Sequence, residues 1–421
     1  MAFFLGEESI MAELVGAVTK VTTGFLEVNA ISIDNWGFKL FYKWTTSLLV
    51  FCSVLVTARQ FFGSPIQCDA GAARGGIEQN VLESYCWMYS TFNIPREYKG
   101  ACSAGDQDTN LNTIVYNSYY QWVPLFLIFL AVIFYLPRCL WLLWEGGLMK
   151  FFGKGTTTRF IEDQDEKREK LVQFFCRNIH NKYNIYFCGF IFCEFLNFII
   201  VIFQFYLTHR FLHSRYIDYG FKVWQYYLLP PEEQQMPGVI NPMCYTFPRI
   251  ASCDYWRWGT GGQQESINAI CILALNIIND KVFLVLWWWF IFVSIISFIR
   301  LIYRGIQCRS AFIRYQLINM RMNRYFKKSS KIRKIEEFVC SCKLGDWFVL
   351  YQLSKNLNRP FFMDFLTALS VRYTDKNQCA EDPEETGGDN LVTMLLKPSY
   401  TTQDSTKEPG KKGDNDDDDD E

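Results

Sequence analysis

Four stretches of this chain are apolar over nearly the thickness of a bilayer core, and polar loops separate them. A helix rises 1.5 Å per residue, so about 20 apolar residues cross roughly 30 Å of hydrocarbon. Residues 121–144 carry Arg138 as their only charge, and residues 183–207 carry only Glu194. Residues 282–299 carry none, between Lys281 and Arg300. Residues 44–58 form a shorter stretch, but Lys43 and Arg59 can snorkel and extend it to about 40–62. A buried helix of a soluble protein could imitate one of these. Four of them predict an all-α polytopic membrane protein with spans at 36–62, 120–144, 183–208 and 281–300.

Lysine and arginine choose the orientation. Residues 145–182 hold eight basic residues, and 300–334 hold eleven with no acid. Residues 63–118 hold three and 208–280 hold five. The loops 63–119 and 209–280 are therefore expected outside. The segments 1–35, 145–182, 301–379 and 380–421 are expected in the cytosol. The start of the chain carries Glu7, Glu8 and Glu13 and lacks a basic region before an apolar core, so insertion is expected to rest on the first span. The net charge of −1 implies no bulk polyanion partner, hence no nucleic acid.

The outer loops contain Cys68, Cys86 and Cys102 in one, and Cys244, Cys253 and Cys271 in the other. In an oxidising compartment that balance predicts disulfides. Six cysteines allow 15 pairings, and requiring each bridge to join the two loops leaves six. Cysteine spacing alone leaves free thiols and pairs within a loop open. No Asn-x-Ser/Thr acceptor occurs, so neither loop is expected to carry an N-glycan.

Tyr119, Tyr120, Gln121, Trp122, Val123 and Pro124 lead into the second apolar stretch. Aromatic rings with polar tips suit a membrane–water interface, where these are expected to anchor the chain at headgroup level. Pro124 suits a first helical turn. With Phe134, Tyr135, Leu136, Pro137, Arg138 and Trp141, this string resembles the second span of the innexins, the invertebrate gap-junction channel proteins. Pro65, Ile66 and Cys68, then Tyr85, Cys86 and Trp87, resemble the family's first loop. Phe247, Pro248, Arg249, Ile250, Cys253 and Asp254 resemble its second.

The resemblance implies four transmembrane helices, a disulfide-bonded extracellular cap with small β content and a cytosolic helical domain. It implies the pairs Cys68–Cys271 and Cys86–Cys253. Cys102 and Cys244 depart from the family's two cysteines per loop, and they are predicted to form a third bridge between the loops. The resemblance also implies a ring of eight subunits, homomeric or mixed, docking with a second ring on an adjacent cell. Ions and small metabolites would then pass passively at plasma-membrane junctions. The alternatives are a pannexin-like hemichannel, or a four-span adhesion or signalling protein.

Thr46, Val50, Ser53 and Thr57 recur at helical spacing on one face of the first span. Such a stripe lines water or forms a packing seam. The resemblance favours pore lining, shared with a folded-in N-terminal segment in which Phe3 and Phe4 are apolar. Glu7 and Glu8, repeated around a ring, would there favour cations. Glu194, Asn197 and Gln204 share a face of the third span, where helix–helix hydrogen bonding is the expectation. Pro124 and Pro137 are expected to disturb the second helix, and a kink there could couple to gating.

The remaining sequence is less specific. Residues 306–374 alternate basic, apolar and aromatic positions, which predicts a helical bundle beside the membrane. Their basic start at 300–334 could touch anionic headgroups or line a vestibule. Residues from about 380 are polar and end in a run of acids, which predicts a flexible tail. Only His180, His209 and His213 are available as imidazoles, and no catalytic or metal-ligand spacing is visible. Cys340 and Cys342 lack further ligands in range. No enzymatic activity, metal or cofactor is expected.

Overall fold

The computed structural model describes residues 33–71, 77–89, 91–92, 116–153, 163–178, 182–234, 236, 239, 241–259, 261–322 and 330–374. Among the described residues four helices are long and apolar enough to cross a membrane: Trp36–Phe62, Val123–Glu145, Tyr183–Phe211 and Asn276–Arg309. They are the first to fourth spans. The first packs on the second, the second on the third and the third on the fourth.

Each span shows its local cause. In the first, Leu40–Thr45 winds as a π-turn, and the Thr45 hydroxyl donates to the Leu40 carbonyl at 3.0 Å. The second begins with Pro124 in its opening turn and ends at Gly146, whose φ of 57° is a left-handed helix stop. Pro137 lies inside this helix, where it cannot donate to the Ile133 carbonyl. The fourth has 34 residues, so it reaches about 50 Å and outruns the hydrocarbon at its ends. Its apolar middle was legible in the sequence; its ends are polar and buried in protein.

Lipid tails are as apolar as leucine, so burying a phenylalanine between spans gains little by transfer alone. Close packing and polar ties hold the bundle instead. The Phe134 ring sits 6.4 Å from that of Phe41 and 5.6 Å from that of Phe290. Gln204 Nε2 donates to the Leu130 carbonyl at 3.1 Å, and Trp289 Nε1 donates to Thr45 Oγ1 at 3.0 Å. The tie from Gln204 agrees with a hydrogen-bonding role for its face of the third span.

At one pole lies a five-stranded antiparallel sheet. Its strands are β1 (Gln67–Asp69), β2 (Thr91–Phe92), β3 (Tyr116–Asn117), β4 (Ile250–Trp258) and β5 (Gln264–Ile272), in the order β1-β5-β4-β2-β3. The β4–β5 hairpin runs in register from Ile250 opposite Ile272 to Trp258 opposite Gln264. Strands of the first loop flank it on both sides, so one sheet is woven from two loops. The helix Gln79–Tyr89 carries Cys86 toward it.

At the other pole a second apolar core gathers Trp141, Phe175, Tyr183, Trp347, Phe348 and Phe365. It joins the ends of the second and third spans to the helices Gln164–Asn178, Ala311–Met322, Ser330–Ser341, Leu344–Asn356 and Arg359–Thr374. A Cβ on Gly345 would lie 2.3 Å from the Tyr183 backbone. Glycine there lets the Leu344–Asn356 helix rest directly on the third span.

Candidate functional site

The hydroxyl stripe of the first span divides. Thr46 and Ser53 are buried, and Ser53 Oγ donates to the Pro124 carbonyl at 2.9 Å. In the protomer Ser53 belongs to the seam with the second span and Thr46 is enclosed by protein, unlike the expectation that both face water. Val50 and Thr57 remain half-buried. Trp44, Phe51 and Leu55 are exposed apolar residues along the middle of this helix. Phe3, Phe4, Glu7 and Glu8 lie outside the described residues.

The cap is stapled at its centre. Cys68 is bridged to Cys271 and Cys86 to Cys253. The Cys68 and Cys271 positions face each other in the β1–β5 register. The sulfurs of Cys68, Cys86 and Cys271 lie within 4.8 Å of one another, so the two bridges abut. Oxidised sulfur offers no thiolate, so this cluster is not a metal site. Cys244 is a half-cystine as well. Cys102, its predicted partner, lies outside the described residues.

The aromatic string at the entry to the second span packs differently from the sequence expectation. Tyr119 and Tyr120 are buried, while Trp122 is 59% exposed. Tyr119 donates its hydroxyl to the Thr246 carbonyl at 3.3 Å and meets the rings of Phe211 and Phe247 edge-on. The Tyr120 ring lies 4.8 Å from that of Trp87, and Gln121 donates to the Trp87 carbonyl. Of these three rings only Trp122 is open to its surroundings; the tyrosines are enclosed by protein and fasten cap to span. Val123 and Pro124 are buried in the same junction.

At the opposite pole the intramembrane charges find partners. Arg138 pairs with Asp34, which also accepts from the Tyr42 hydroxyl at 2.8 Å. Glu194 accepts from Arg304 at 2.6 and 3.1 Å and from Arg300 at 3.3 Å. Asn35 Nδ2 approaches the same carboxylate at 3.4 Å, and Lys355 Nζ donates to Asn35 Oδ1 at 2.8 Å. Gln352, on the helix of Lys355, reaches the Ile33 carbonyl at 3.4 Å. The residues just before the first span are thus tied to the third span and to the Leu344–Asn356 helix. Burial, then Arg304, Arg300 and Arg321, push the Lys355 amine down to about 7.

Sequence reasoning singled out Arg138 and Glu194 as lone charges but missed Asp34, Arg304, Asn35 and Lys355. One signal was available: a lone charge at membrane depth needs a partner on a neighbouring helix. Identifying that partner required the packing. Pro137 is buried beside Arg138, so any bend at the proline moves this ion pair.

The sequence model of the innexin family matches residues 34–373, which takes in the four spans and the sheet and reaches into the last helix. The chain belongs to the innexin family. Innexin inx2 of Drosophila melanogaster is 35% identical over 356 residues, covering 82% of this chain and 93% of that protein. Innexin inx2 of Schistocerca americana is 33% identical, covering 84% and 97%. Innexin shaking-B of Drosophila melanogaster is 33% identical, covering 82% and 92%. Innexins form gap-junction channels from oligomeric hemichannels. As an innexin, this chain is a multi-pass plasma-membrane channel subunit, and the stapled cap, the spans and the polar pole are parts of that channel.

Proposed function

We propose that this innexin assembles as a ring of eight, with the disulfide-bonded cap outside the cell and both termini in the cytosol. Two rings dock cap to cap across the intercellular gap. Ions and small metabolites pass through the joined pore down their gradients. The observation that carries this reading is the woven sheet: two loops made into one body by adjoining disulfides present a fixed surface to an opposing copy. The excess of lysine and arginine in residues 145–182 and 300–334 supports the orientation.

Within the ring the first span faces the pore. Val50 and Thr57 are the stripe residues we assign to the water-facing surface, with Phe3, Phe4, Glu7 and Glu8 at the mouth. Carboxylates repeated around the ring favour cations. Pro137 and the adjoining ion pair form the part of the second span that gating would move. A third bridge, Cys102 to Cys244, extends the cap's clamp. Leu125, Phe129 and Val132, exposed on the second span, and Phe192, Phe195 and Ile199, exposed on the third, meet lipid tails or neighbouring subunits.

Dye transfer between paired expressing cells, compared with dye uptake into single cells, tests the reading. Transfer is expected. Uptake without transfer would assign the chain to hemichannel use instead.

A further inference from the structure

Two arginines that form no ion pair among the described residues line a cavity at the polar pole. A space of about 320 Å³ is lined by Leu317, Met320, Arg321, Tyr351 and Arg359. Among the described residues neither Arg321 nor Arg359 makes an ion pair. Lys355 Nζ sits 4.1 Å above the Tyr351 ring that forms one wall. Arg300, Arg304 and Arg321 bear electrostatically on both Tyr351 and Lys355. Glu194 is committed to Arg300 and Arg304 at the edge of this group. Arg359 opens the helix Arg359–Thr374, whose positive dipole end adds to the field.

Guanidinium groups held together without counter-charge repel, and an anion relieves that repulsion. The cavity has the volume of roughly ten waters, enough for a phosphoryl group and a small polyol carrying it. Arginine's planar fork matches phosphate oxygens in pairs.

We propose that this cavity binds a phosphate ester. Arg321 and Arg359 take the phosphoryl oxygens, and Tyr351 with Leu317 and Met320 packs against the carrier. The same chemistry serves a soluble phosphate ester and the headgroup of an anionic phospholipid. The site lies beside the polar end of the fourth span, so either source can reach it.

The test uses the full-length channel purified as its oligomer. Inositol trisphosphate is the soluble probe, titrated calorimetrically. Nanodiscs of phosphatidylcholine, with or without phosphatidylinositol bisphosphate, form the lipid arm, read by thermal unfolding. Binding of the soluble probe is expected, and R321Q/R359Q should weaken it roughly tenfold or more, because two charge-assisted contacts are lost. K170Q, which removes an exposed cation elsewhere, should leave it unchanged. A lipid-dependent rise in melting temperature in the parent alone identifies a headgroup as the source. Soluble binding without that rise identifies a free ester.

Equal affinity in the parent and R321Q/R359Q, or no binding in either arm, overturns the proposal. So does binding that emerges only once Asp414 and the acids 416–421 are neutralised, since the chain's own acidic tail is then the occupant. If the double variant does not assemble, R321K and R359K keep the charge but lose the fork, and parent-like affinity in both overturns it equally.

Discussion

Lys355 donates to Asn35 across 2.8 Å, joining a helix at the polar pole to the residue that precedes the first span, 320 positions earlier. The contact gives the start of the first span a fixed point on the carboxyl-terminal half of the chain. It also places a titratable amine at that point.

The Lys355 amine holds its proton less tightly in the fold, at about 7, than at the ordinary lysine value of 10.5. Between those values the unfolded chain binds more protons, so the fold gains stability as pH rises through that window. Below about 7 both states are protonated, and the repulsion from neighbouring arginines acts in full. Lys355→Met should flatten the rise in melting temperature across the window. An unchanged slope would show that other groups set it.

The two central bridges should not contribute independently. Cys68 and Cys271 are 203 residues apart, and the chain-entropy model assigns about 5 kcal/mol to closing such a loop. Once it is closed, Cys86–Cys253 closes only the short segments from Cys68 to Cys86 and from Cys253 to Cys271, worth about 4 kcal/mol. Removing both pairs together should therefore cost less than the sum of each bridge's full-loop value of about 5 kcal/mol. Denaturant unfolding of C68S/C271S, C86S/C253S and the quadruple variant decides this.

Ser53 faces the second span rather than water. A cysteine at position 53 should resist a charged methanethiosulfonate reagent applied to open channels, while cysteines at 50 and 57 react. Ser53→Ala should cost about 1 kcal/mol of stability through the lost bond to the Pro124 carbonyl. Rapid modification at 53 would return that residue to the pore.

Glu194→Gln leaves Arg304, 4% exposed, without its carboxylate. Breaking a buried pair from one side costs roughly 3–5 kcal/mol, so the variant should assemble poorly and melt early. Glu194→Gln with Arg304→Met removes both charges and should recover much of the loss. Size-exclusion profiles of the oligomer report it.

The spans were legible because lipid imposes a length and a composition that few soluble segments meet. The balance of cysteines between two loops was legible for a similar reason, since an oxidising compartment makes paired thiols informative. The Thr46 to Thr57 stripe was ambiguous because a seam and a pore wall select the same small hydroxyl residues. Only the position of Ser53 against Pro124 separates them. Tyr119 and Tyr120 read as interface anchors because local sequence does not reveal that the cap folds down over them. The partners of Arg138 and Glu194 could not be read at all, since Asp34 and Arg304 lie 104 and 110 residues from them.

The woven order of the sheet also sets a timetable. β1 is translated long before β5, its neighbour, and Cys68 precedes Cys271 by 203 residues. At about 5–20 residues per second, that leaves the first strand and its thiol waiting roughly 10–40 s during synthesis. The oxidising machinery meets Cys68 and Cys86 first as a neighbouring, mismatched couple. A bridge formed between those two during that wait has to be undone before Cys271 and Cys253 can pair as they do in the fold.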